Sequence, residues 1–279
     1  MVKKQLIIEK SLELFAEQGF EATSVQQITD RCGISKGAFY LSFKSKDELI
    51  MAIIDSFMMD VTVSIDQSVR GPGPSERKLY DFYCTAFRSL SKHTGFAKVF
   101  IMEQALPLNE ELLSKINEYD ARINRSILYL LDQLYEEARD IRYDLLICVK
   151  GFLQQYIGIY LHHGLAMNLE IFADSLVEKT NILARHMTKP FVTEEVFLKM
   201  VGADSQEGKQ DGRDRLIGLI ADKLPELEDP IEIESLHTLK QSLLQTEPSM
   251  AIVKGMLENL RNNLACKWVC YLIREYYRL

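Results

Sequence analysis

The chain has 279 residues, 47% of them hydrophobic and 26% charged, with 14 glycines against 7 prolines, so it holds ample material for a buried core and does not read as disordered. The net charge of −7 excludes a uniformly basic nucleic-acid binder, but residues 1–50 carry seven basic and seven acidic side chains, so the remainder bears the whole deficit. Positions 31–46 hold four cations (Arg31, Lys36, Lys44, Lys46) and no acid, a small cationic tip on an acidic body.

Taken in chain order, nearly every segment shows helical periodicity and strand-type alternation is almost absent. The spacing predicts short helices at about 4–18, 25–32 and 36–42, then longer ones at about 46–69, 75–92, 95–106, 110–138, 142–163 and 169–188. Gly71-Pro72-Gly73-Pro74 is a breaker, and Pro107 and Pro190 mark two further ends. Residues 202–212 have almost no apolar content and read as a flexible surface loop. Helices near 213–223, 232–245 and 249–277 follow, the last with Met256, Leu260, Leu264, Trp268 and Leu272 as a buried stripe. The fold class is therefore all-α, without internal repeats.

The three short helices carry the most specific local signals. Ile8, Leu12 and Phe15 share a face of the first helix, which ends at Gly19. Thr23 and Ser24, each followed three residues on by a glutamine, form a capping-box pattern for the second helix, whose buried face is Val25, Ile28 and Cys32. Gly33-Ile34 makes the turn, Ser35 caps the third helix, and its outward residues Lys36, Gly37 and Ala38 are small or cationic. Ser45 with Glu48 is another capping box, opening a long helix with Lys46 in its first turn. A short helix that brings its first turn close to base edges with little intervening bulk is what a major-groove reader needs.

Residues 7–49 closely resemble the DNA-binding domain of the TetR/AcrR family of transcriptional regulators. The matching elements are Leu14-Phe15, Gly19-Phe20, Thr23-Ser24-Val25, Ile28, Gly33-Ile34-Ser35-Lys36-Gly37, Tyr40, Phe43 and Ser45-Lys46-Asp47-Glu48-Leu49. The resemblance implies a helix-turn-helix over residues 24–43. Gln26, Lys36, Gly37 and Ala38 would face bases, Ser24, Tyr40, Ser42 and Lys46 would hold phosphates, and Ser35 stands at the cap among them. Family members often carry Thr where Ala38 stands, an aromatic residue at Leu41 and His at Ser42.

It also implies three regions: a DNA-binding domain over 1–55, a helical ligand-binding and dimerisation domain over 56–190, and, beyond the usual family length, a helical extension over 191–279 expected to pack on the body. The helices over 142–163 and 169–188 would form a homodimer. Aromatic and Met-rich positions, among them Phe82, Phe87, Phe100, Met102, Phe152 and Tyr156, would line a pocket for a hydrophobic or cationic small-molecule effector. The expected partner is double-stranded operator DNA, bound by a repressor; an architectural or protein-partnered regulator without an inducer is the alternative. No phosphate loop, catalytic motif or metal-ligand cluster points to an enzyme, a cofactor or a metal. Of the five cysteines only Cys266 and Cys270 are close, and they read as buried hydrophobes rather than a redox pair. Without a signal-peptide core or a run of ~20 apolar residues, a cytoplasmic location away from membranes is expected.

Overall fold

Apolar spacing and local caps fold the chain into helices, and no strand occurs among the described residues of this computed structural model. Those residues are 2–92, 94, 97, 110–163, 167–200, 209–245, 247–277 and 279. The helix expected over 95–106, with Phe100 and Met102, and most of the loop expected over 202–212 lie outside them. The chain divides into two compact units, Met1–Val201 and Gly202–Leu279.

The first unit opens with α1 (Val2–Gln18), α2 (Val25–Cys32) and α3 (Lys36–Ser42), packed on one another. α1 buries Ile7, Ser11, Leu14 and Phe15, whereas Ile8 and Leu12, expected in the core, are half-buried. Both stripes obey helical periodicity, and the facing surface decides which one is covered. Phe20, Ile28, Phe39 and Phe43 complete this small core.

From it runs α4 (Lys46–Arg70), which packs on α5 (Ser75–Lys92) and α6 (Glu110–Leu134). Two carboxylates of α4 are bonded to α6. Asp55 pairs with Lys115 and accepts from the Tyr119 hydroxyl at 3.1 Å. Asp66, only 8% exposed, accepts from the Ser126 hydroxyl at 2.8 Å and from Arg70 Nε at 2.9 Å. The single helix expected over 110–138 ends at Leu134, where Tyr135 leaves helical geometry (φ −134, ψ 63) and a 3-10 turn follows over Glu136–Ile141.

The body closes with α7 (Arg142–His163) and α8 (Leu169–His186), which pack on each other; α8 also covers α5. A buried hydrogen bond of 2.6 Å joins the hydroxyls of Tyr83 on α5 and Thr180 on α8. After α8 the chain returns to the start of α7, where the backbone N–H groups of Phe191 and Val192 donate to one Asp144 carboxylate oxygen at 2.9 and 3.0 Å. Phe197, on the short α9 (Glu194–Met200), stacks on Tyr143 with ring centroids 4.6 Å apart. Residues 191–200, assigned from sequence to the extension, are thus bonded to the first unit.

The second unit comprises α10 (Lys209–Lys223), α11 (Pro230–Leu244), α12 (Met250–Asn259) and α13 (Lys267–Tyr277). Its own core includes Leu216, Ile220, Leu236, Leu239, Val253 and Ile273. The continuous helix expected over 249–277 breaks after Asn259. Asn263 caps a new start by accepting from Ala265 N–H at 2.8 Å and donating to Glu232 at 2.6 Å. Leu264, expected in the buried stripe, is consequently 75% exposed. Cys266 and Cys270 are buried, and burial pushes their thiols up to about 11 and about 12. Among the described residues, no helix is long and apolar enough to cross a membrane, and no group of three or more His, Cys, Asp or Glu could hold a metal ion.

Candidate DNA-binding surface

The turn between α2 and α3 is fixed by its own residues. Ser24 Oγ accepts from Gln27 N–H at 3.2 Å, and the Gln27 side chain accepts in return from Ser24 N–H at 2.8 Å, a complete capping box. Thr23, read as an alternative cap, is instead buried, with its hydroxyl donating to the Gly19 carbonyl at 2.6 Å. Gly33 ends α2 in the left-handed region at φ 66, its N–H donating to the Asp30 carbonyl. Ser35 Oγ then accepts from Ala38 N–H at 3.2 Å, so α3 begins at Lys36. Each such cap contributes about 1 kcal/mol, and α3, seven residues long, depends on its cap and on buried Phe39.

Phe39 anchors α3 and leaves the opposite face bare. Lys36, Gly37 and Tyr40 are exposed, and Ala38 and Ser42 are half-buried. Gly37 is not required by the fold, since an added Cβ would meet nothing nearer than Ser35 Oγ at 3.8 Å. The Ser42 hydroxyl donates back along the helix to the Ala38 carbonyl at 3.3 Å. On α2, Ser24 and Gln26 are exposed, and the Gln26 amide donates to Asp30 at 2.6 Å.

Two of the four cations at the tip are engaged within the protein. Arg31 bonds Glu17 at 2.9 Å and lies 3.6 Å from Glu13, and its hydrogen bond holds the Glu17 carboxyl below the usual range. The Lys46 ammonium donates to the Phe20 and Thr23 carbonyls at 2.8 and 3.1 Å and sits 4.2 Å from the centre of the Phe20 ring. Lys36 and Lys44 remain exposed and without a carboxylate partner among the described residues. At the start of α4, Ser45 Oγ accepts from Glu48 N–H at 3.0 Å while Glu48 accepts from Lys44 N–H at 2.6 Å, so the expected box closes on Lys44 rather than Ser45. Sequence reasoning passed over Leu41 as a contact; it is 91% exposed on the face opposite Phe39.

Of the effector residues expected from sequence, Phe82 and Phe87 are buried on α5, and Phe152 and Tyr156 are half-buried on α7. Phe172 brings two of them together, its ring 5.2 Å from Phe87 and 6.2 Å from Tyr156, with Tyr160 5.0 Å from Phe87. A cleft of about 820 Å³ lies elsewhere, between the start of α5, the 3-10 turn and the end of α8, and none of the expected residues lines it. Its walls include Glu76, Tyr135, Glu137, Asp140 and Arg185, and burial raises the Tyr135 phenol to about 12. Tyr135, where helical geometry ends, is among the residues lining that cleft.

A capped helix-turn-helix on an all-helical body defines a DNA-binding transcriptional regulator. Residues 7–53 match the sequence model of the bacterial regulatory proteins of the tetR family. Two relatives from Bacillus subtilis are HTH-type transcriptional regulators: YerO, 29% identical over 92% of this chain and 89% of its own, and YuxN, 28% identical over 94% and 93%. A fatty acid metabolism regulator protein of the same organism is 27% identical over 48% of this chain and 67% of its own. Among solved structures, a TetR/AcrR-type regulator from Aquifex aeolicus superposes with a TM-score of 0.52 at 26% identity, covering 65% of this chain and 99% of that one. The regulator FadR from Bacillus subtilis, solved with stearoyl-CoA, shares the fold at 19% identity and a TM-score of 0.54, covering 63% of this chain and 96% of that one.

Proposed function

We propose that the chain is a homodimeric, ligand-responsive repressor that binds a palindromic operator and releases it on binding a small hydrophobic or cationic effector. The observation that carries this reading is the open first turn of α3, where Lys36 and Gly37 are exposed and Ala38 half-buried on a helix start fixed by Ser35. Lys36 reaches base acceptors and Gly37 and Ala38 allow close approach, while Ser24, Gln26, Tyr40, Ser42 and Lys46 line the flanks that meet DNA.

Support for the dimer comes from α7 and α8, which keep Ile147, Ile159, Ile171 and Ile182 between 40% and 67% exposed in the single chain. Two-fold symmetry then sets two recognition helices against an inverted repeat. A hydrophobic effector is supported by the aromatic group around Phe172 and by the relatives concerned with fatty acids and stearoyl-CoA. The cleft beside Tyr135 favours a cation instead, because Glu76, Glu136, Glu137 and Asp140 outnumber Arg185 among its charged walls.

Full-length protein and random duplexes carried through rounds of in vitro selection test the reading. An inverted repeat bound by one dimer is expected, with loss of binding on adding either stearoyl-CoA or tetraphenylphosphonium. Enrichment of no inverted repeat would overturn operator recognition, and indifference to both compounds would leave a regulator without a small-molecule inducer.

A further inference from the structure

At 91% exposure Leu41 is the most exposed large apolar side chain among the described residues. Single exposed leucines are ordinary on protein surfaces, so exposure alone decides nothing. Its place on α3 does. At about 100° per residue, Leu41 lies about 200° around the helix from Phe39, and Gly37 lies about as far in the other direction. Four residues apart, Gly37 and Leu41 stack along the line facing directly away from the domain core. Gly37 contributes no side chain there, so the Leu41 isobutyl group projects furthest, with Lys36 and Tyr40 on one flank and Ala38 and Ser42 on the other.

A face built only for water and phosphate gains nothing from that group. In the major groove the base edges offer hydrogen-bonding groups and one apolar feature, the C5-methyl of thymine. We propose that Leu41 is a specificity-determining residue that packs on the C5-methyl of one thymine in each operator half-site. The inference rests on the operator-binding reading and adds to it which base the centre of α3 selects.

Thymine-to-uracil exchange removes that methyl and leaves the hydrogen-bonding edge intact. The experiment uses the full-length protein and its selected duplex, with each thymine replaced singly by uracil, and reads affinity by fluorescence anisotropy for the natural chain and for Leu41→Ala. At one thymine per half-site the exchange is expected to weaken the natural chain about fourfold, the effect of one buried methyl group. Leu41→Ala is expected to lose affinity for the thymine duplex and to be insensitive to that exchange, with its thermal unfolding unchanged because the side chain is solvent-exposed. Indifference of the natural chain to every exchange overturns the proposal while operator binding stands. An exchange effect of the same size in Leu41→Ala also overturns it, since another residue then reads the methyl. Failure of the natural chain to select any duplex would be seen before any exchange is made, and removes the operator reading together with this one.

Discussion

The Lys46 ammonium lies 2.8 Å from the Phe20 carbonyl oxygen and 4.2 Å from the centre of the same residue's ring, so one side chain grips both the backbone and the face of another. This ties the start of α4 to the link between α1 and α2. Lys46→Ala is therefore expected to lower the stability of the DNA-binding domain by about 1.5–3 kcal/mol, the range for a hydrogen bond involving a charged group, and to weaken all duplexes alike. Lys36→Ala, at an exposed position, should leave unfolding unchanged and cost about 1–3 kcal/mol of discrimination at one base pair. Thermal unfolding and anisotropy over a salt series separate the two; equal unfolding curves for both variants would show that the Lys46 contacts contribute nothing.

Gly33 and Gly37 predict opposite outcomes for one substitution. Gly33 sits at φ 66, where a Cβ is strained, so Gly33→Ala should cost about 1 kcal/mol of stability. Gly37 lies in a helix with open space around it, and Gly37→Ala should raise stability by about 0.5–1 kcal/mol. Operator affinity should nevertheless fall for Gly37→Ala, because the added methyl stands between α3 and the bases. Undiminished affinity would mean that α3 does not approach the groove along this face.

Neighbouring residues of α8 separate assembly from folding. Ile171 and Ile182 are 67% and 51% exposed, whereas Phe172 and Leu176 are buried within the single chain. Ile171→Glu and Ile182→Glu should give folded monomers by sedimentation, with operator affinity greatly reduced. Phe172→Glu and Leu176→Glu should instead unfold the body, because they place a charge in its core. Intact dimers from both isoleucine variants would move the interface away from this face.

Asp144 accepts from both the Phe191 and the Val192 N–H groups, across 47 and 48 residues of sequence. Asp144→Ala should release this strap, with protease cleavage appearing between 187 and 193 and stability falling by about 1–3 kcal/mol. An unchanged digestion pattern would show that Tyr143 and Phe197 hold the strap by stacking alone.

The DNA-binding helices were legible because their signals are local: the Ser24 and Gln27 box, the Gly33 turn and the Ser35 cap each act within a few residues. The Gly71-Pro72-Gly73-Pro74 break between α4 and α5 was equally plain. What stayed hidden depends on partners far along the chain. Arg31 reads as a free cation until Glu17, 14 residues away, is found against it, and Lys46 meets Phe20 across 26. Likewise, Leu264 fits a helical stripe by periodicity, and only the Asn263 contact with Glu232 shows why the helix restarts there. The division between base-reading and phosphate-holding residues came from family resemblance; Leu41 became noticeable only once Phe39 fixed which face of α3 points out.

Asp55 and Asp66 are eleven residues apart on α4, and the α6 residues they bond, Lys115 and Ser126, are also eleven apart. Eleven residues make about three helical turns, so both bonds fall on one side of each helix, about 16 Å apart, and the helices run in the same direction. A rod fastened at two such points to a parallel rod can neither roll nor slide by a residue without losing both fastenings together. Rotation of α4 at its DNA-facing end must therefore carry α6 with it, and the two helices turn as one stiff beam rather than as a flexible stem.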